Sequence, residues 1–193
     1  MKVVLLALGL FGLCSAQLRF GRCANPGLED SFAPASFEGK GFLAKRTKKV
    51  PWDKNQCVKI QVDNIPGTTL DKTLFVSQYD LEADITSTTR GTLKFDDSST
   101  LKGKVDSTWI PSKDFRIISA KSTPVNHSVF YSCVPFLFFW KREYLWVFVQ
   151  NKSNVDNIDG ILSSVFAKIP TISGNDLESV SQDANCKYVN SLP

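Results

Sequence analysis

Between Ser128 and Asn151 the chain is almost continuous in aromatic and β-branched residues. Val129, Phe130, Tyr131, Val134, Phe136, Leu137, Phe138, Phe139 and Trp140 precede a basic break at Lys141-Arg142, and Tyr144, Leu145, Trp146, Val147, Phe148 and Val149 follow it. Runs of this composition read as two long strands of a hairpin, turning at the basic break. Each strand carries large apolar side chains on both faces. A hairpin with one wet face would alternate polar and apolar, so one face here packs outward on another element and the other lines an interior.

Upstream, the same reading gives a first strand over 37–45, containing Gly39-Lys40-Gly41-Phe42-Leu43-Ala44, an alternating strand over 57–63 and a further strand over 73–79. Further strands cover 86–95, 100–107 and 115–120, with Asp96-Asp97-Ser98-Ser99 as a turn between the first two of these. Eight strands in succession, joined by turn residues, predict an antiparallel sandwich or an up-and-down barrel. One helix follows. Asn154 is placed to cap it, Asp156 sits in its first turn, and Pro170 stops it. Val155, Ile158, Ile161, Leu162, Val165, Phe166 and Ile169 share one face, which has to lie against the sheet. A short extended piece, 177–181, leads to the tail.

The chain opens with Met1-Lys2, an apolar run from Val3 to Leu13, and Cys14-Ser15-Ala16. This reads as a signal peptide over 1–16, leaving a single domain over 17–193 and implying secretion. The run is too short to span a bilayer, and no later apolar stretch reaches about 20 residues, so no transmembrane segment is expected. Five cysteines become four without Cys14: Cys23, Cys57, Cys133 and Cys186. In a secreted chain these imply two disulfides, with three pairings open. No C-x-x-C or Cys/His cluster suggests a metal. Asn126-His127-Ser128 and Asn151-Lys152-Ser153 are glycosylation acceptor triplets. Net charge is +4 and the basic residues are scattered except at Lys45-Arg46-Thr47-Lys48-Lys49, read as a solvated loop rather than a positive rim for an acidic ligand or membrane. Nothing here points to nucleic acid.

Gly21-Arg22-Cys23-Ala24-Asn25-Pro26, Phe37-Glu38-Gly39, Tyr131-Ser132-Cys133 and Tyr144-Leu145-Trp146-Val147-Phe148 resemble motifs of the lipocalins, and within them of the apolipoprotein D group and the invertebrate bilin- and carotenoid-binding colour proteins. The resemblance implies all-β architecture with one helix: an eight-stranded antiparallel up-and-down β-barrel, or calyx, with a C-terminal helix packed outside. It implies pairing of Cys23 with Cys133 and of Cys57 with Cys186. If Cys133 then faces outward, Ser132 and Phe130 face inward. Trp146 matches a cavity-facing tryptophan of that group, and Tyr144 and Phe148 share its face. Ile60, Phe75 and Trp109 are added as ligand contacts from strand position alone. Two departures stand out. The group's Trp after the first-strand glycine is Gly41 here, and its Arg at the end of the eighth strand is Gln150. Both partners of one cation–π contact are missing together, which predicts a looser closed end.

The function this implies is a secreted carrier of one small hydrophobic ligand, of the carotenoid, bilin, sterol, retinoid or fatty acid class, with the colour-protein likeness leaning toward a bound chromophore. The alternative is an interaction protein that uses barrel-mouth loops, including Val50-Pro51-Trp52, with the run Phe136 to Trp140 as an interface for homo- or hetero-oligomers. A lipocalin-type isomerase would need a free cavity thiol, and four paired cysteines leave none. A Ser-His-Asp site would depend on His127, expected to be exposed, and no G-x-S-x-G motif is present. The chain is therefore read as a non-enzyme that needs no cofactor.

Overall fold

The computed structural model describes residues 18–27, 38–48, 56–68, 71–95, 101–105, 115–121, 126–136, 139–156 and 158–189. The expected signal peptide, the Val50-Pro51-Trp52 loop, the Asp96-Asp97 turn and Trp109 lie outside them. Among the described residues the strands are β1 (Leu18–Phe20), β2 (Gly39–Thr47), β3 (Gln56–Asn64), β4 (Asp71–Asp80), β5 (Ile85–Phe95), β6 (Leu101–Val105), β7 (Arg116–Lys121), β8 (His127–Phe136), β9 (Trp140–Val149) and β10 (Leu177–Ser179), with one α-helix, α1 (Asp159–Lys168). The eight strands β2 to β9 form an antiparallel sheet in the order β6-β5-β4-β3-β2-β9-β8-β7. Consecutive strands pair, except β6 with β7, and the first strand of the set pairs with the last. With β6 approaching β7 at the other seam, this is an up-and-down barrel.

Strand alternation sorts the apolar residues into two cores. Leu43, Ile60, Val62, Leu74, Leu93, Ile117, Phe130, Tyr144, Trp146 and Phe148 fill the inside. Ala44, Ile118, Val129, Tyr131, Leu145, Val147 and Val149 face outward and pack against Ile158, Ile161, Leu162, Val165 and Ile169 at α1. The hairpin's two apolar faces are thus both covered, one by the barrel interior and one by the helix.

The helix begins later than expected. Asn151 caps a short 3-10 turn over Lys152–Asn154 through the Ser153 amide, and α1 follows without any side-chain cap. Its anchor is packing: Ile161, Leu162 and Val165 are buried, each worth roughly 1.5–3 kcal/mol on transfer from water, more than the ~1 kcal/mol of a cap.

The hairpin turn also sits elsewhere. Lys141 and Arg142 lie within β9, paired with Pro135 and Val134. Lys141 fits there because a carboxylate meets it: its ammonium lies 3.0 Å from Glu143, which also accepts from the Tyr131 hydroxyl at 2.7 Å. Burial, then Glu143, holds the Tyr131 phenol far above its usual range. Beside this site runs β1, a strand not expected from the sequence. It pairs with β9, and Arg19 bridges to Asp176 at 2.5 Å.

The basic run is not a solvated loop either. Lys45, Arg46 and Thr47 extend β2, Lys45 reaches Asp159 of α1, and Arg46 is 5% exposed and bonded to Glu178. Lys48 bonds the Asn175 carbonyl, so three of these cations hold the C-terminal segment and helix to the barrel. His127 is buried rather than exposed, with its ring 2.9 Å from the Ser119 hydroxyl on the outer face.

The disulfides are Cys23–Cys133 and Cys57–Cys186, as the resemblance implied. The second marks a split in the wall. β2 and β3 pair only from Gly39↔Val62 to Phe42↔Lys59. Beyond that, β10 pairs with Lys45, Arg46 and Thr47, the Cys57 amide donates to Ser181, and the Gln182 amide donates to both Leu43 and Val58 carbonyls at 2.8 and 3.1 Å. Cys57 occupies a β-bulge with φ of +62°, a left-handed conformation that turns the strand aside to meet this wedge.

Candidate functional site

The barrel is closed at the end where β2 begins and opens at the other. On β5 the inward positions grade from Leu93, 1% exposed, through Gly91 and half-buried Thr89 to exposed Ser87 and Ile85. At the closed end there is no slack around Gly41. A Cβ there would lie 3.2 Å from Ile60 Cγ1 and 3.3 Å from Phe148 Cβ, so neighbouring side chains occupy the room the missing Trp would need. The expectation of a looser closed end does not hold at this point. Gln150 is held at the rim by the Asn126 side chain, 2.6 Å away. Lys72, 1% exposed and on the same face as Leu93, bonds Asn64, which in turn bonds Glu38.

Above this plug the inner wall is aromatic. Reading β9 toward the mouth, the inward residues are Phe148, Trp146, Tyr144 and Arg142, and their β8 partners are Ser128, Phe130, Ser132 and Val134. The rings contact one another: Phe130 meets Phe148 edge-on at 5.4 Å, Tyr144 stacks on Trp146 at 5.8 Å, and Phe115 tilts against Trp146 at 5.5 Å. Burial raises the Tyr144 hydroxyl above its ordinary pKa, while the charge of Arg142 and a hydrogen bond to it pull the other way. Arg46 pairs with Trp146 across β2 and β9, and its guanidinium is 2.8 Å from Glu178.

Of the residues singled out from sequence, Phe130, Ser132, Tyr144, Trp146, Phe148 and Ile60 come together on this inner surface. Phe75 does not. It alternates with Leu74 and Val76 and faces the other side of β4, with the Arg90 guanidinium 5.6 Å from its ring. Position within a strand says nothing about face without a register, and the register comes from Val62↔Leu74. Arg142, Arg46, Glu178 and Phe115 were missed. Counting by twos from Trp146 would have found Arg142, had the basic pair not been taken for a turn. Phe130 and Trp146 are register partners on adjacent strands, so their proximity does not mean that side chains fill the barrel from opposite walls.

At the rim, Phe20, Phe139 and Trp140 are exposed and packed together, with ring centroids 6.1 Å apart for Phe20–Phe139 and 5.9 Å for Phe20–Trp140. Among the described residues no helix is long and apolar enough to cross a membrane.

A calyx of eight strands with one outer helix and a late strand added to the first is the lipocalin fold, and this chain has it. No protein-family model matches the chain. Its resemblance runs to the apolipoprotein D group: it is 24% identical over 186 residues to apolipoprotein D of Macaca fascicularis, covering 89% of this chain and 91% of that one. Among solved structures, lobster apocrustacyanin A1 superposes with a TM-score of 0.74 at 14% identity, covering 90% of this chain and 95% of that chain. Japanin from Rhipicephalus appendiculatus, solved bound to cholesterol, gives 0.59 at 20% identity, covering 80% and 99%.

Proposed function

We propose that this protein is an extracellular carrier that holds one small hydrophobic ligand inside the barrel. The observation that carries the reading is the inner wall of Phe130, Tyr144, Trp146 and Phe148, open toward the mouth past Ser87 and Ile85. Aromatic rings with a few hydroxyls suit an elongated apolar molecule, because the rings give area at little entropic cost and the hydroxyls fix orientation. Japanin's cholesterol is consistent with that class. Carotenoids, bilins, sterols, retinoids and fatty acids all fit it. Two disulfides agree with an oxidising compartment, and with it the expected signal peptide and glycosylation at Asn126 or Asn151. As a carrier the protein makes and breaks no bond. Mass and visible-absorption analysis of an organic extract of the protein purified from its own source tests the reading. One stoichiometric hydrophobic molecule supports it, and a visible band makes that molecule a chromophore. A clean extract, together with failure to take up any apolar probe, refutes it.

A second reading is favoured by the exposed cluster of Phe20, Phe139 and Trp140, which suits contact with a second copy of the chain. Sedimentation of the wild type against Phe139→Ser decides it. A concentration-dependent dimer that the substitution abolishes supports an interface, and a monomer in both refutes it.

A further inference from the structure

We propose that residues 177–188 are a gate in the barrel wall, hinged on β2 and latched to β3 by Cys57–Cys186, and that a dithiol which opens this bond releases the ligand sideways through the seam. This rests on the carrier reading and adds how the cargo leaves. The segment is part of the wall rather than a covering over it. Val180 is 2% exposed and belongs to the inner core with Leu43 and Val58, and Gln182 is buried beside them. The direct pairing of β2 with β3 stops at Phe42↔Lys59, and from there the segment stands between them. Taking one strand out of a sheet leaves a gap of about 10 Å, two strand spacings, which passes a flat apolar molecule.

The two edges of the segment are held unequally. Toward β2 it makes a three-residue ladder, a further bond from the Val180 amide to the Ala44 carbonyl at 2.9 Å, and the ion pair of Glu178 with buried Arg46 at 2.8 Å. Toward β3 the Cys57 amide donates to the Ser181 carbonyl at 2.9 Å, and the Gln182 amide donates to the Val58 carbonyl at 3.1 Å. The ion pair of Lys187 with Asp84 lies in water and adds little. Cys57–Cys186 is the covalent tie on this edge. Cys57 holds a left-handed backbone, φ +62°, at a bulge of β3, a conformation that a residue with a Cβ adopts only under constraint. Opening the bond removes that constraint, so the end of β3 returns to extended backbone and withdraws its amide from Ser181. The β2 edge keeps its ladder and acts as the hinge.

The exchange balances. A thiolate of the dithiol attacks Cys186 Sγ, and Cys57 leaves as a thiolate that takes up a proton. The second thiol of the reagent then displaces Cys186, which takes the proton that this thiol gives up, and the reagent closes its own disulfide. Both protein cysteines are reduced and the dithiol is oxidised. Cys23–Cys133 does not bear on the seam, because it ties the N-terminal segment to the outer face of β8.

The test loads the oxidised, delipidated protein with N-phenyl-1-naphthylamine, a neutral fluorescent apolar probe, and follows its release before and after dithiothreitol. Alkylation maps which bond has opened, and hydrogen exchange by NMR follows the Cys57 and Val180 amides. Opening of Cys57–Cys186 is expected to raise the release rate about tenfold or more, to expose those two amides to exchange, and to leave the β8 and β9 amides protected. Cys23→Ala/Cys133→Ala, which keeps only the latch bond, is expected to behave as the oxidised wild type until reductant is added. An unchanged release rate once the latch is open overturns the gate while leaving the carrier reading standing. Loss of protection throughout the barrel also overturns it, because the bond then holds the whole fold and not one segment. Failure to take up the probe in either redox state refutes the carrier reading and the gate with it. The wild-type comparison needs no variant, so a poorly folding substitution does not block the decision.

Discussion

The barrel has two unlike walls. On β9 every inward residue from Phe148 to Tyr144 is large and buried, β8 sets Phe130 between Ser128 and Ser132 beside them, and the outward face of both strands is sealed by α1. On the β4–β5 hairpin the inward residues of β5 shrink and surface toward the mouth: Leu93, Gly91, Thr89, Ser87. One wall is fixed by packing on both sides. The other is small from Gly91 to Ser87, with hydroxyls at Thr89 and Ser87 before Ile85 at the mouth. The asymmetry would serve the proposed carrier, because rigid rings set the shape of a site at low entropic cost while a wall of small side chains leaves room beside them.

Changes to the sealed wall should dominate. Trp146→Ala removes the ring on which both Tyr144 and Phe115 rest, and should cost about 3–5 kcal/mol in urea unfolding as well as most ligand affinity. A loss under 1 kcal/mol would mean the wall is not packed as described. The seam between the walls comes next. Gln182→Leu leaves the Leu43 and Val58 carbonyls without their donor, at about 2–4 kcal/mol by the same measurement.

Alkaline titration separates the walls without mutation. Tyr131 and Tyr144, on the sealed wall, are raised chiefly by burial. Tyr188 is pushed up to about 12 by burial and then by Asp183. Tyr79, on β4, is raised first by its hydrogen bond to Asp84, then by burial. A phenol whose folded pKa exceeds its unfolded value stabilises the fold fully below about pH 10 and loses that contribution as pH rises through the folded value. Phenolate absorbance should therefore lag behind that of free tyrosine, with Tyr79 ionising in the native protein and Tyr131 and Tyr144 only as circular dichroism reports unfolding. Normal titration of all four would contradict the packing of both walls. The smallest effect belongs to the open wall: Thr89→Val should change stability by no more than about 0.5 kcal/mol, while shifting which apolar probes bind best.

Much of the barrel was legible because period two and period 3.6 are strong signals. The residues at 57–63 alternate visibly, 73–79 and 115–120 carry the β-branched and aromatic residues of strands, and the apolar stripe of α1 identified its buried face. What escaped were features decided by partners distant in sequence. Lys141-Arg142 looks like a turn until the Glu143 carboxylate is seen to pair with the lysine. Lys45 and Arg46 look like a solvated loop until Asp159 and Glu178 arrive from the far end of the chain. Phe75 was assigned to the wrong face because no register had been fixed. The inward faces of Tyr144 and Trp146 followed from a resemblance, and Arg142 follows from the same alternation once the turn is moved.

The wedge formed by β10 and Gln182 has a consequence for how the protein is made. β2 leaves the ribosome well before its neighbours β9 and β10, and before the amide that bridges it to β3, all encoded about a hundred residues or more later. Both covalent cross-links join an early cysteine to a late one, at separations of 110 and 129 residues. The first strand of the calyx must therefore wait, half-paired, until β9, β10 and Gln182 have emerged. Such a topology folds slowly and after synthesis rather than during it. Ending translation before Leu177 would release a chain that has all eight barrel strands and still lacks the piece that closes the gap between the first two.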